Sequence, residues 1–176
     1  AEDLDDGNLY RTMETIREYT REKLGARGEL KETAARHCNH FLSMAKAGNH
    51  GLQSAEQGTW IQRLETELDN MRAAMTLALE GGVEPIIAVK FQVALMSFWI
   101  LRGYVTEGAK SVRAALELPA VVASDVALAH ALYVGAALAA SHSDYTAAGA
   151  SLEPCLAVRR AIDSPVEVAA TLSRSE

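Results

Sequence analysis

Apolar positions recur every three to four residues along this chain, and glycine or proline punctuates each run. That spacing places them on one face of a helix after another. Over residues 13–24 the face is Met13, Ile16, Tyr19 and Leu24, and Gly25 and Gly28 end the element. A second helix is predicted over 30–47, with Leu30, Ala34, His37, Phe41, Leu42 and Ala45 on its stripe and the glycines at 48 and 51 breaking it. Ser54, with Gln57 three residues on, reads as a capping box. The helix it opens buries Trp60, Ile61, Leu64 and Leu68, then continues or bends through Met71, Met75 and Leu79 to a stop at Gly81-Gly82. Pro85 suits the first turn of a helix carrying Phe91, Leu95, Phe98 and Trp99, which Gly103 closes. A partner with Val112, Ala115 and Leu116 runs up to Pro119. Helices over 125–141 and 145–161, and one opening near Pro165, complete seven or eight. Before them all, Asp6-Gly7 is a turn signal, read as the tip of a β-hairpin.

The later helices repeat. Gly103 and Ser143 stand 40 residues apart, and at that offset Gly108 meets Ala148, Val112 meets Leu152, Ala115 meets Cys155 and Leu116 meets Leu156. A turn, a small residue that lets two backbones approach, and large apolar residues behind it make one helical hairpin that must stack on the next to bury its face. Asp144-Tyr145-x-x-Ala148 with Leu152 resembles the tetratricopeptide motif, departing from it at Ser143, at Cys155 and in the longer period.

Composition adds little to this picture and removes several alternatives. Hydrophobic residues make up 49% and charged residues 23%, enough apolar material for a packed core and too much for a disordered chain. The formal charge of −6 and the lack of a dense Lys/Arg cluster argue against nucleic-acid binding. Two cysteines, Cys38 and Cys155, lie within helical patterns and read as reduced thiols of a cytoplasmic protein. The most apolar stretch, 120–140, is interrupted by Ser124, Asp125 and His130, so no membrane span is expected. The acidic start Ala1-Glu2-Asp3, without an initiator Met, is expected of a piece excised from something longer.

Two stretches carry a family resemblance. Tyr10-Arg11-Thr12-Met13-Glu14-Thr15-Ile16-Arg17-Glu18-Tyr19 resembles the segment closing the winged-helix part of bacterial STAND-type ATPases, regulators that include the LuxR and MalT groups. Trp60-Ile61-x-x-Leu64-Glu65-x-Glu67-Leu68-Asp69-Asn70-Met71-Arg72, followed by Phe98-Trp99-x-Leu101-Arg102-Gly103-Tyr104-x-x-Glu107-Gly108, is similar to the junction and first repeats of their sensor arm. The resemblance implies a full-length protein that binds ATP and switches an effector domain, while a tetratricopeptide arm senses a signal. No G-x-x-x-x-G-K-[ST] phosphate loop occurs here, so no cofactor is expected in this segment and ATP only in an upstream domain.

Candidate sites are few. His37-Cys38-x-His40 offers three metal-ligand types, but Cys38 points away from the two histidines and no second pair lies near, so surface or partly packed histidines are expected and no metal. Glu65, Glu67 and Asp69, with Arg63 and Arg72 close by, read as a salt-bridged face, and no nucleophile–base set can be assembled, so no enzyme is expected. Phe91, Phe98, Trp99 and Tyr104 read as core. Extrapolating a tetratricopeptide register places Lys90, Ser97, His130, Tyr133 and Ser141 on the concave face.

The expected fold is therefore all-α, a right-handed α-solenoid of tetratricopeptide-like helical hairpins behind a short winged-helix remnant. Residues 1–28 would end the winged-helix region, 29–82 form helical linker or junction hairpins, and 83–176 hold about two repeats and a truncated third. The function expected is a non-catalytic interaction or sensor segment of an ATP-dependent signalling or transcriptional regulator, binding a protein, peptide or small effector. The alternative is a free-standing helical-repeat scaffold that forms homodimers through its exposed repeat ends.

Overall fold

A computed structural model describes residues 30–162, and every element among them is helical. In chain order these are α1 (Leu30–Gly51), α2 (Gln57–Thr66), α3 (Leu68–Leu79), α4 (Ile86–Arg102), α5 (Val105–Leu116), the short α6 (Pro119–Val122), α7 (Asp125–Ser141) and α8 (Tyr145–Ala161). The chain divides into two compact units, 1–33 and 34–176, and the packing below is that of the second. The hairpin expected at Asp6-Gly7 and the helices expected over 13–24 and from Pro165 lie outside the described residues.

The expected break at residues 48–51 is not there. α1 runs through Gly48 to Gly51 because both glycines are contact points rather than hinges. A Cβ on Gly48 would lie 2.7 Å from the Leu64 side chain, and one on Gly51 would lie 2.1 Å from the Trp60 indole. Leaving Cβ off lets α2 approach the last turns of α1. The buried face of α1 is accordingly Cys38, Leu42, Ala45 and Gly48, while His37 and Phe41 flank it.

The capping box at Ser54 is also replaced. Ser54 Oγ donates to Gly51 O at 2.8 Å and accepts from Glu56 N at 3.1 Å, and Gln57 Nε2 donates to Leu52 O at 2.8 Å. These bonds knot the α1–α2 turn, and the cap position passes to Glu56, whose side chain makes no cap bond. α2 and α3 are separated by the single residue Glu67, at φ −99° and ψ 6°, so the helix read as continuing or bending is interrupted there.

α4 and α7 are apolar nearly all round, which fits helices covered on several sides. α4 buries Ile87, Phe91, Leu95, Phe98 and Trp99 and packs on α3, α5 and α7. α7, rich in alanine, packs on α4, α5 and α8, its small residues permitting close approach. α5 is amphipathic and buries Val105, Gly108, Val112 and Ala115. α6 was not anticipated. Pro119 starts it at N1, and it serves to press Val121, fully buried, against Val89, Ala115, Ala127 and Ala131.

The 40-residue periodicity has a geometric counterpart. Gly103 closes α4 at φ +75°, with Tyr104 N donating to Trp99 O at 2.9 Å. Forty residues on, Ser143 closes α7 at φ +60°, with Asp144 N donating to Ala139 O at 3.0 Å. Both are left-handed helix terminators of one design. Burial follows the same rhythm: Val112 and Leu152 are buried, as are Ala115 and Cys155, while Leu116 and Leu156 are half-buried. The rhythm fails after the turn, where Val105 is buried and Tyr145 is 74% exposed.

Candidate functional site

The residues of the second stretch that carried the family resemblance, from Trp60 to Gly108, converge on one junction, where α2–α3 meets α4–α5, while residues 10–19 lie outside the described residues. Arg72 of α3 donates from Nε to Glu107 Oε1 at 2.8 Å and from Nη2 to Glu107 Oε2 at 2.6 Å, a two-pronged pair on α5. Its Nη1 reaches Asp69 at 2.9 Å, and its guanidinium lies 5.7 Å from the centre of the Tyr104 ring. The bonds to Glu107, first among these partners, hold Arg72 protonated well above its ordinary range. Arg102, at the end of α4, donates to Glu65 of α2 at 2.6 Å. Tyr104 packs on Phe98 with ring centres 5.8 Å apart, and Gly108 admits the Trp99 indole and Leu138. Gln92 Nε2 adds a buried link, donating to Ser111 O at 3.0 Å.

The carboxylates read as a salt-bridged face are thus paired, Asp69 with the expected Arg72 and Glu65 with a distant arginine. Glu65 reaches Arg102, Asp69 shares Arg72 with Glu107, and Glu67 accepts from Asn70 at 2.7 Å. Arg63 lies instead over the Trp60 ring at 5.2 Å. Phe91, Phe98 and Trp99 are fully buried core.

His37 and His40 both sit edge-on to Phe41, with ring centres 4.8 and 4.9 Å away. Cys38 faces inward and donates to Ala74 O at 3.5 Å, and burial pushes its thiol pKa up. Among the described residues no three His, Cys, Asp or Glu side chains gather to hold a metal ion. No described helix is long and apolar enough to cross a membrane.

Elsewhere, α1, the start of α4 and the start of α7 line a cavity of about 320 Å³. Lys46 and His50 line it from α1, Lys90 with Val89 and Val93 from α4, and His130 from α7. Two of the five expected concave-face residues, Lys90 and His130, therefore share one cavity. The other three do not line it. Ser97 is half-buried elsewhere on α4, and Ser141 folds back to donate to Leu138 O at 2.7 Å. Tyr133 faces α8, where the buried Arg159 guanidinium lies 4.7 Å from its ring. The α1 wall escaped the sequence reading, because nothing local to residues 46–50 marks them as neighbours of residue 90.

No family model matches the chain, and no solved structure matches it either. Three proteins provisionally named as HTH-type transcriptional regulators are similar to it, one from Mycobacterium bovis and two from strains of Mycobacterium tuberculosis. Each is 34% identical over 108 residues, which is 61% of this chain. The chain spans only 12% of the length of each of these relatives. What is shared is thus a stretch that makes up a small part of each of these relatives.

Proposed function

We propose that this chain is a non-catalytic helical-repeat segment of a larger bacterial transcriptional regulator, the arm through which a signal is sensed. In this reading α4–α5 and α7–α8 are successive tetratricopeptide-like units of an α-solenoid, and α2–α3 is the junction feeding into them. The observation that carries it is the terminator and burial pattern recurring from Gly103 to Ser143. A segment built of stacked hairpins presents one continuous groove along its first helices, and such surfaces recognise ligands without chemistry of their own. The similarity to mycobacterial HTH-type regulators supplies the regulatory half of the reading. The fixed Arg72–Glu107 and Arg102–Glu65 pairs lock the junction to the first repeat, as transmission from the arm to the rest of a regulator requires.

The competing reading is a scaffold that pairs through its repeat ends, and it draws on the exposed Val122, Val126 and Tyr145. Light scattering coupled to gel filtration over a concentration series separates the two. The sensor-arm reading expects a monomer at every concentration. A dimer that grows with concentration, and persists when one further native repeat is appended, would favour the scaffold.

A further inference from the structure

We propose that the cavity between α1, α4 and α7 binds a small molecule carrying one carboxylate on a short apolar body. The inference rests on the sensor-arm reading and names the class of signal it would take. Every ionisable side chain lining the cavity is a potential cation: Lys46, His50, Lys90 and His130. No aspartate or glutamate lines it, although the chain holds 23 acidic residues against 17 Lys and Arg. The cations of the junction have their carboxylates, Arg72 in Glu107 and Asp69, and Arg102 in Glu65. Lys46 and Lys90 have no carboxylate partner among the described residues. A concave, electropositive mouth of this kind attracts an anion and strengthens its hydrogen bonds.

The rest of the lining selects the body of that anion. Val89 is buried, Val93 is half-buried and Val126 is exposed at the rim, so the interior is a small apolar trough. A volume of about 320 Å³ lies at the lower end of the range for small-molecule sites. A partner helix, about 10–12 Å across with its side chains, needs a longer groove. An inorganic anion such as phosphate would leave the valines unused. A carboxylate of some eight carbons in all satisfies both parts of the lining.

The test uses the chain as described, titrated with octanoate by calorimetry and by amide chemical shifts. Octanol, octylamine and a longer peptide ending in a free leucine carboxylate serve as matched probes. Octanoate is expected to saturate a single site, to shift the amides of Val89, Val93 and Val126, and to bind about tenfold more tightly than octanol or octylamine. Replacing both exposed lysines, Lys46→Met with Lys90→Met, is expected to weaken octanoate binding about tenfold while the melting temperature stays in place. Octanol binding as tightly as octanoate would overturn the proposal, and that comparison needs no variant. So would unchanged affinity in the folded double variant, or binding of the peptide alone, which would make the ligand a protein terminus. Any of these results leaves the sensor-arm reading intact, since that is decided separately by oligomeric state and by transcription.

Discussion

Gly108 offers a sharp test of the packing, because one methyl group added there should do the reverse of what it does elsewhere. A Cβ at Gly108 would lie 2.7 Å from Cε3 and 3.0 Å from Cδ2 of Trp99, and 2.9 Å from Cδ1 of Leu138. Trp99 and Leu138 are fully buried, so neither can swing into solvent to make room. Overpacking of this kind costs about 1–3 kcal/mol, and a rigid indole places the cost near the upper figure. Gly→Ala inside a helix gains about 1 kcal/mol in propensity, leaving Gly108→Ala destabilising by about 2 kcal/mol. Gly149 is the control: it sits within α8 with nothing within 4 Å of its virtual Cβ, so Gly149→Ala should stabilise by about 1 kcal/mol. Urea unfolding followed by circular dichroism would measure both, with unchanged slopes confirming that the comparison is of stability. The melting temperature should fall by about 4–8 °C in one and rise by about 2–4 °C in the other. The repeat is consistent with this: at the corresponding positions small Ala139 stands for Trp99, and buried Ala148 stands for Gly108. In a Trp99→Ala background, Gly108→Ala should therefore turn favourable. A neutral or stabilising Gly108→Ala in the unmodified chain would refute the reasoning.

Three further outcomes follow from the same structure. A double-mutant cycle on Arg72→Ala and Glu107→Ala should give a coupling of about 1 kcal/mol, shrinking at high salt, since their side chains are 40% and 31% exposed; zero coupling at low salt would show that the pair is ornamental. Burial raises the Cys38 pKa, so its contribution to stability is fully present below the unfolded thiol value of about 8.5 and is lost as pH rises towards the folded value. A stability–pH slope above about 8.5 that survives Cys38→Ala would contradict that assignment. Pro154 lies inside α8 on an exposed position, and Pro154→Ala should raise stability by about 2 kcal/mol, once the lost stiffness of the unfolded chain is subtracted; a loss in thermal melts would mean the proline shapes the packing.

What could be read from the sequence was what depends on near neighbours. The bounds of α7 and α8 follow from Ser124 and Asp144, whose side chains accept from Ala127 N at 3.4 Å and Ala147 N at 3.0 Å, and from the stops that succeed them. The match of Gly103 with Ser143 was visible because a left-handed terminator is a local demand on one residue. Gly48 and Gly51 misled for the opposite reason: their role is set by Leu64 and Trp60 on another helix, and the local prior for glycine is to end a helix. The Ser54 box failed similarly, its hydroxyl being taken by the turn with Gly51. At the cavity, Lys90 and His130 could be placed from helical register, while Lys46 and His50 depend on how α1 lies in space. The pairing of Glu65 with Arg102 and of Arg72 with Glu107 was likewise invisible, since the partners stand 37 and 35 residues apart.

Transcript profiling tests whether this segment acts in the regulation of transcription, as proposed. In the organism that encodes the chain, residues 83–162 would be removed in frame, and RNA sequencing compared with the parent strain. A discrete set of transcripts is expected to rise or fall, and restoring the segment to return them to parental levels. A transcript profile indistinguishable from the parent, across growth conditions that include added medium-chain carboxylates, would contradict the proposal.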